Sequence, residues 1–417
     1  MKIAFVSQPW NTIVPPVQNG SVAIWTYEVA KRLAESYEVT VYARRGRGQL
    51  PAEVSEGVRY RRFQAKSDDR LLRLLAKMGG GGAPQRPHFA RLFAHFAYAL
   101  QVAVDLRRSR CDLVQIFNVS QFVPVIRALN PKVKIVLRMS CEWMTKLDRE
   151  LVGPRLRQVD RVFGCSEYIT NGIRRRFPEV ASRCTTIMNG RDVHRFTPAS
   201  EAAAAGKDSS VKQVLFVGRI SPEKGVHVLM DAFRAVARRV PDARLVLVGP
   251  ESAAPASYFS GIDLEPRTAA LAPLFTADYP SLVRSMIPAD IAGRVEFRGF
   301  VPHYELAQLY RRADVLVLPS VVDEASGNSL IEAMATGLAV VATRTGGTPE
   351  YVENGKCGIL AEPADPDSLA DAIVRLLNDE TLRRQMGQAG RQRAVDRFSC
   401  EQLAQSLMSQ YEDVLRY

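Results

Sequence analysis

Asp314 to Pro319, reading DVLVLP, is a short apolar run rich in β-branched residues that closes on a proline. That is the pattern of a strand buried on both faces of a parallel sheet. A loop follows up to Gly327, and Asn328 to Ala335 then carries Leu330, Ile331 and Met334 on one helical stripe, with Gly337 as the stop. A strand, a glycine-bearing loop and a helix start predict an open α/β sheet, which binds ligands beyond the carboxyl ends of its strands. Two carboxylates stand eight residues apart around this turn: Glu324 in the loop and Glu332 about one turn inside the helix. The amides of Gly327, Asn328 and Ser329 lie at the positive end of that helix, where a phosphate is favoured. Two carboxylates near a phosphate are repulsive unless they bind hydroxyls, which a sugar and a ribose supply.

A second cluster points the same way. Gln213 to Val217 reads as a strand, and Gly218-Arg219-Ile220-Ser221-Pro222-Glu223-Lys224-Gly225 separates it from a helix over Val226 to Arg239. Two cations between a glycine turn and a helix start make a diphosphate cradle. The GxxxxGK[ST] spacing is absent, so this is no Walker A loop. The competing reading leaves Arg219 and Lys224 as solvated loop charges.

The same rhythm runs along the whole chain. Further strand candidates are Lys2 to Val6, Glu38 to Tyr42, Val58 to Phe63, Leu113 to Phe117, Lys134 to Arg138, Arg161 to Gly164, Thr185 to Met188, Arg244 to Val248 and Arg294 to Phe297. Helical patterns between several of them imply mainly parallel pairing. At 417 residues a single core is too small a solution, and two domains of roughly 200 residues each are expected. The first spans 1–198, a linker 199–210, the second 211–397, and a last helix lies within 398–417. No stretch reaches the roughly 20 apolar residues of a membrane span. The start fails as a signal peptide, because Gln8-Pro9-Trp10-Asn11 interrupts IAFV. Six scattered cysteines without a CxxC, and only five histidines, predict reduced thiols in a cytoplasmic protein and no metal site.

The net charge of +12 is unevenly shared. Met1 to Arg195 holds 33 Lys+Arg against 16 Asp+Glu, or +17, which leaves 23 against 28, or −5, for the remainder. Lys31 to Arg110 is densest, with 17 basic and 7 acidic residues, and includes DDRLLRLLAKM with Arg70, Arg73 and Lys77, then GGGGAPQRP. Two readings stand: an interfacial patch that meets anionic lipid or a lipid-diphosphate acceptor, or a helix pair whose arginines face water. No base-stacking module or recognition motif accompanies the charge, so nucleic acid is not an expected partner.

The C-terminal half resembles the family 4 glycosyltransferases. The resemblance rests on VGRISPEKGVHVLMDAF, LVLVGP, RGFVPHYELAQLYRRADVLVLPS, the pair Glu324 and Glu332, and EAMATGLAVVATRTGGTPEYVENGKCGIL, in that order over roughly Gln213 to Leu360. The N-terminal half matches more loosely, through Lys2 to Val6, the loop Gln8 to Gly20 and the helix Val22 to Leu33. The resemblance implies the α/β GT-B fold, two Rossmann-like domains facing across a cleft, with the last helix crossing back to the first. It implies a retaining enzyme that moves a sugar from a nucleoside diphosphate sugar, UDP or GDP first, to a glycan or lipid-linked acceptor in polysaccharide or glycoconjugate assembly. No further cofactor is expected, and the setting is cytoplasmic, at the inner membrane face if the lipid reading holds.

By the same resemblance, Gly218, Arg219, Lys224 and the amides of Gly327, Asn328 and Ser329 take the diphosphate. Glu332 takes the ribose, Glu324 the donor sugar, and the backbone of Phe300 and Val301 the base. Gly20 and Ser21 close over the phosphates from the first domain. The acceptor attacks from the leaving-group side, so no protein nucleophile is assigned. Two departures stand out. Ser326 replaces an aromatic in Glu324-Ala325-Ser326-Gly327, and Ser140 stands where many relatives carry a histidine, with Glu142 as a compensating acceptor or sugar contact. A hydroxyl binds a sugar oxygen but carries no positive charge.

His227 and His303 read as capping or solvent residues, and Trp25 as core, while Trp143 is a candidate acceptor surface. Gly346 to Glu350 reads equally as a donor contact or a helix cap. Pro250 to Gly293, with Tyr258, Phe259, Phe275 and Tyr279, is longer than the family pattern and reads as an acceptor-side lid, a subunit contact, or a surface loop with one helix at Ser281 to Met286. A sugar epimerase and a pyridoxal-dependent phosphorylase share the architecture but lack placeable residues here. A noncatalytic nucleotide-sugar sensor is the alternative from another class.

Overall fold

The computed structural model describes residues 1–77, 85–200, 210–251, 265–276 and 278–416. The chain forms two compact units, Met1–Asn189 with Cys400–Tyr417, and Gly190–Ser399.

In the first unit the strands are β1 (Lys2–Val6), β2 (Glu38–Arg44), β3 (Ala52–Ser55), β4 (Val58–Phe63), β5 (Leu113–Phe117), β6 (Lys134–Met139), β7 (Arg161–Gly164) and β8 (Cys184–Thr186). They lie in the order β3-β4-β2-β1-β5-β6-β7-β8. Every pairing is parallel except that of β3 with β4. The strand order reverses between β1 and β5, the position where such sheets open a crevice at their carboxyl edge. Helix Cys400–Arg416 completes this unit: Leu403, Leu407, Tyr411 and Val414 enter the core with Ile24 and Val41, and the Tyr411 hydroxyl donates to Gln115 Oε1 at 2.7 Å.

The second unit repeats the plan with β9 (Lys212–Val217), β10 (Ala243–Val248), β11 (Val295–Gly299), β12 (Val315–Leu318), β13 (Ala339–Thr343) and β14 (Ile359–Ala361). The order β11-β10-β9-β12-β13-β14 is parallel throughout and reverses between β9 and β12. Strands β12 and β13 are buried at every residue, as apolar runs on both-faced parallel strands require.

Two expectations shift. The first compact unit ends at Asn189, not at Pro198. Arg391 donates to the carbonyls of Val193 and Phe196 at 2.8 and 2.9 Å, and Arg311 to those of Arg195 and Thr197 at 3.0 and 2.8 Å, which binds this stretch to the second unit. Most of the expected linker, 201–209, lies outside the described residues. In the long β10–β11 connection, Tyr258 and Phe259 also lie outside them, while helix Tyr279–Ser285 is no surface ornament. Leu271, Tyr279 and Val283 are buried in the core of the second unit.

Candidate active site

The loops that follow β9 and β12 flank the reversal point of the second sheet, and their backbones are pressed together there. Gly225 has φ +68°, and a Cβ at that position would stand 1.9 Å from the Pro319 carbonyl oxygen. Gly249, after β10, has φ +145° and would meet the Gly218 oxygen at 1.8 Å, while its amide donates to Gly299 O at 2.8 Å. Only glycine permits these approaches, and they hold the ends of β9, β10, β11 and β12 at one edge.

Sequence placed two cations and a carboxylate at this edge, and the structure joins them as ion pairs. Lys224 Nζ lies 2.5 Å from Glu324 Oε1, which also accepts from the Ser320 hydroxyl. Arg219 Nη2 donates to Glu223 Oε1 at 2.7 Å. Each cation of the expected cradle therefore arrives with a carboxylate that tempers its charge. Capacity remains, because an ammonium has three protons and a guanidinium five. Glu324 Oε2 accepts no hydrogen bond among the described residues, so it is open to a hydroxyl. The Glu324 backbone oxygen accepts from Gly347 N at 2.7 Å, and Asp323 Oδ1 from Gly346 N at 2.8 Å. The glycine turn after β13 thus braces the carboxylate loop.

Helix Asn328–Ala335 starts where expected, with Gly327 as its N-cap; a Cβ on Gly327 would strike Leu330 at 2.4 Å. Asn328 and Ser329 are half-buried in its first turn. Glu332 lies deeper than its spacing foretold, only 4% exposed. Its Oε1 accepts from Arg191 Nε and pairs with His303 Nε2, both at 2.9 Å, and its Oε2 accepts from the Tyr310 hydroxyl at 2.9 Å. Oε2 keeps one acceptor position. Burial pushes the Glu332 carboxyl up, but His303, Arg191 and Tyr310 outweigh it and hold its pKa at about 2 in place of 4.5. A carboxyl depressed on folding stabilises the fold above its unfolded pKa and loses that contribution in acid. The second unit is therefore expected to lose stability as pH falls from about 4.5 toward about 2, and Glu332→Gln to flatten that part of a denaturation-versus-pH profile.

His303 is thus no solvent residue but a buried partner of Glu332. Phe300, at the end of β11, is 52% exposed, and Val301 is half-buried beside it. His227 is likewise tied down: its backbone N–H donates to the Tyr279 hydroxyl at 3.0 Å, and its Nδ1 lies 2.8 Å from the same oxygen. Burial lowers the His227 pKa, which favours the neutral ring at this contact. Arg267 of the same connection lies 3.6 Å from Asp323. The β10–β11 connection accordingly grips both loops of the site. Tyr279→Phe is expected to cost about 1–3 kcal/mol through the orphaned His227 amide, read by chemical denaturation; an unchanged midpoint would refute the brace.

The remaining expected residues belong to the first unit. Gly20, φ +78°, is the N-cap of helix Ser21–Leu33. Ser140 follows β6, its amide donating to Asn118 Oδ1 at 2.7 Å. Glu142 accepts from the Tyr168 hydroxyl at 2.6 Å and pairs with Lys146 at 2.7 Å, so it is more than a bare surface carboxylate. Trp143 packs against Phe89, and Trp25 is buried at 4% exposure. Arg191, Tyr310, Ser320 and Asp323 escaped the sequence reading. Arg191 is 141 residues from the carboxylate it serves, and no local pattern marks it.

Two open, mainly parallel α/β sheets, each with a reversal point in its strand order, are the architecture of a GT-B protein. Residues 199–393 match the family described as Glycosyl transferases group 1, and residues 22–195 match Glycosyltransferase Family 4. Spore coat protein SA of Bacillus subtilis is 27% identical over 428 residues, 99% of each chain. Among solved structures, a sucrose-phosphate synthase of Thermosynechococcus elongatus superposes with a TM-score of 0.72 at 23% identity over 100% of this chain and 99% of its own. Anabaena HepE, solved with UDP and glucose, gives 0.69 at 20% identity over 99% of each. The chain belongs to the family 4 glycosyltransferases and is a retaining glycosyltransferase of the GT-B fold.

Proposed function

We propose that this chain moves a hexose from a UDP-sugar, with a GDP-sugar as second choice, to a glycan or lipid-linked acceptor in polysaccharide or glycoconjugate assembly. The Lys224–Glu324 pair carries the reading. A cation and a carboxylate share one site, the first with protons to spare for a leaving phosphate and the second with a free oxygen for a sugar hydroxyl. Arg219 and the amides from Gly327 to Ser329 share the phosphate charge, as Gly218 lets the backbone approach. Glu332 Oε2 takes a ribose hydroxyl, and the backbone of Phe300 and Val301 meets the base. UDP bound to the structural neighbour HepE supports the choice of base.

The same reading gives the first unit the acceptor, with Ser140 and Glu142 as sugar contacts and Gly20 and Ser21 at the phosphates. Its surface favours a lipid-linked one at a cytoplasmic membrane face. Phe96, Leu100 and Val104 form an exposed stripe on helix Phe96–Ser109, and Leu71 and Leu74 are exposed on helix Lys66–Lys77. Arg70, Arg73, Arg107 and Arg108 stand exposed on those helices, the mix of apolar and basic groups that anionic interfaces attract. Among the described residues no helix is long and apolar enough to cross a membrane.

The test is a thermal-shift screen against UDP, GDP, ADP and dTDP with their sugars. One base is expected to stabilise the protein by about 2.7 kcal/mol at 100 times its dissociation constant. No shift with any nucleotide would sink the proposal.

A further inference from the structure

We propose that the first unit holds a phosphate-ester subsite at the carboxyl ends of β2 and β4; it rests on the reading of this unit as the acceptor side. A cavity of about 700 Å³ opens there, lined by Arg44 to Leu50 and Gln64 to Lys66. Both loops leave parallel strands at the edge where open α/β sheets hold their ligands. The first loop is fixed in place. Arg45 N donates to Phe63 O at 2.8 Å, Gly46 N to Gln49 Oε1 at 2.8 Å, and Arg45 Nε to Gln49 O at 2.9 Å. One glutamine thus pins a short turn that presents Arg45 and Arg47, while Lys66 lines the same cavity.

Among the described residues, the charge of Arg45, Arg47 and Lys66 is uncompensated. Asp69 is engaged by both terminal nitrogens of Arg44, and Asp68 is buried, accepting from Ala97 N and Tyr98 N at 3.1 and 3.0 Å. The two acids of the adjoining helix are therefore committed elsewhere. Arg45, Arg47 and Lys66 enter no ion pair among the described residues. Two guanidinium forks and an ammonium around one cavity fit a phosphate with several acceptor oxygens. The donor diphosphate has its own cluster in the second unit, so this cavity suits a phosphate carried by the acceptor, either a soluble sugar phosphate or a lipid diphosphate.

The experiment uses the full chain with Lys224→Ala, which weakens the donor cluster, titrated calorimetrically with inorganic pyrophosphate. Binding is expected to persist and to weaken at least about tenfold per cation removed when Arg45→Ser, Arg47→Ser and Lys66→Ser are added. No binding to the Lys224→Ala chain, or unchanged binding after the three substitutions, overturns the subsite. The single change Arg47→Glu serves as a second variant should the combined one fail to fold, with the same two outcomes. Competition then identifies the source: displacement of pyrophosphate by glucose 6-phosphate names a soluble ester, and displacement by phosphatidylcholine vesicles carrying a polyprenyl diphosphate names a lipid. Displacement by neither overturns the acceptor assignment. UDP binding to the chain with only the three first-unit substitutions is expected to persist; its loss would put the nucleotide diphosphate in this cavity and overturn its assignment to the acceptor.

Discussion

Lys224→Ala is expected to lower sugar transfer about 100- to 1000-fold, the usual consequence of removing one preorganised donor to a developing charge. The side chain is 22% exposed and 2.5 Å from Glu324, so its loss touches the site more than the fold. Two changes coincide in the variant. The leaving phosphate loses a cation, and Glu324 keeps only Ser320 to orient it. Arginine is not an equivalent replacement, because a rigid planar guanidinium fork presents its protons differently from a compact ammonium. Lys224→Arg should therefore restore little. A loss confined to KM would show uniform binding instead and would remove Lys224 from the transition state.

Arg191→Ala is expected to destabilise the second unit by at most about 3–5 kcal/mol, the cost of breaking a buried charge pair, since Glu332 keeps His303 and Tyr310 but loses its permanent countercharge. Its side chain is 3% exposed and that of Glu332 6%, so water does not replace the lost partner. For a domain of this size the melting temperature should fall by roughly 6–20 °C. Glu332→Gln in the Arg191→Ala background should recover part of the loss, since the amide needs no countercharge. Equal stability of Arg191→Ala and the parent chain in thermal denaturation would show that the pair contributes nothing.

These two residues show what a sequence exposes and what it hides. Lys224 was visible because strand, glycine turn and helix lie within one short stretch, and because the apolar runs 214–217 in β9 and Val315–Leu318 in β12 mark parallel strands. Glu324 was visible for the same reason. Their pairing was not, since it depends on which strand ends lie side by side. Arg191 had no local signal at all. Its role comes from a tertiary contact across 141 residues, and the same contacts move the start of the second unit to Gly190. His303 and His227 were misplaced because a histidine beside a helix start looks alike whether its ring meets water, a buried carboxylate as His303 does, or a tyrosine hydroxyl as His227 does. The edge strand β3 was missed because AEVS is short, half-exposed and antiparallel, without the apolar run that marks its neighbours.

Calorimetric titration of UDP into the parent chain, Lys224→Ala and Glu142→Gln tests the central claim most directly, that the second unit's reversal point binds the donor. One site is expected, weakened at least about tenfold in Lys224→Ala by the loss of a charge-assisted contact, and unchanged in Glu142→Gln. Equal affinity in all three proteins would contradict it.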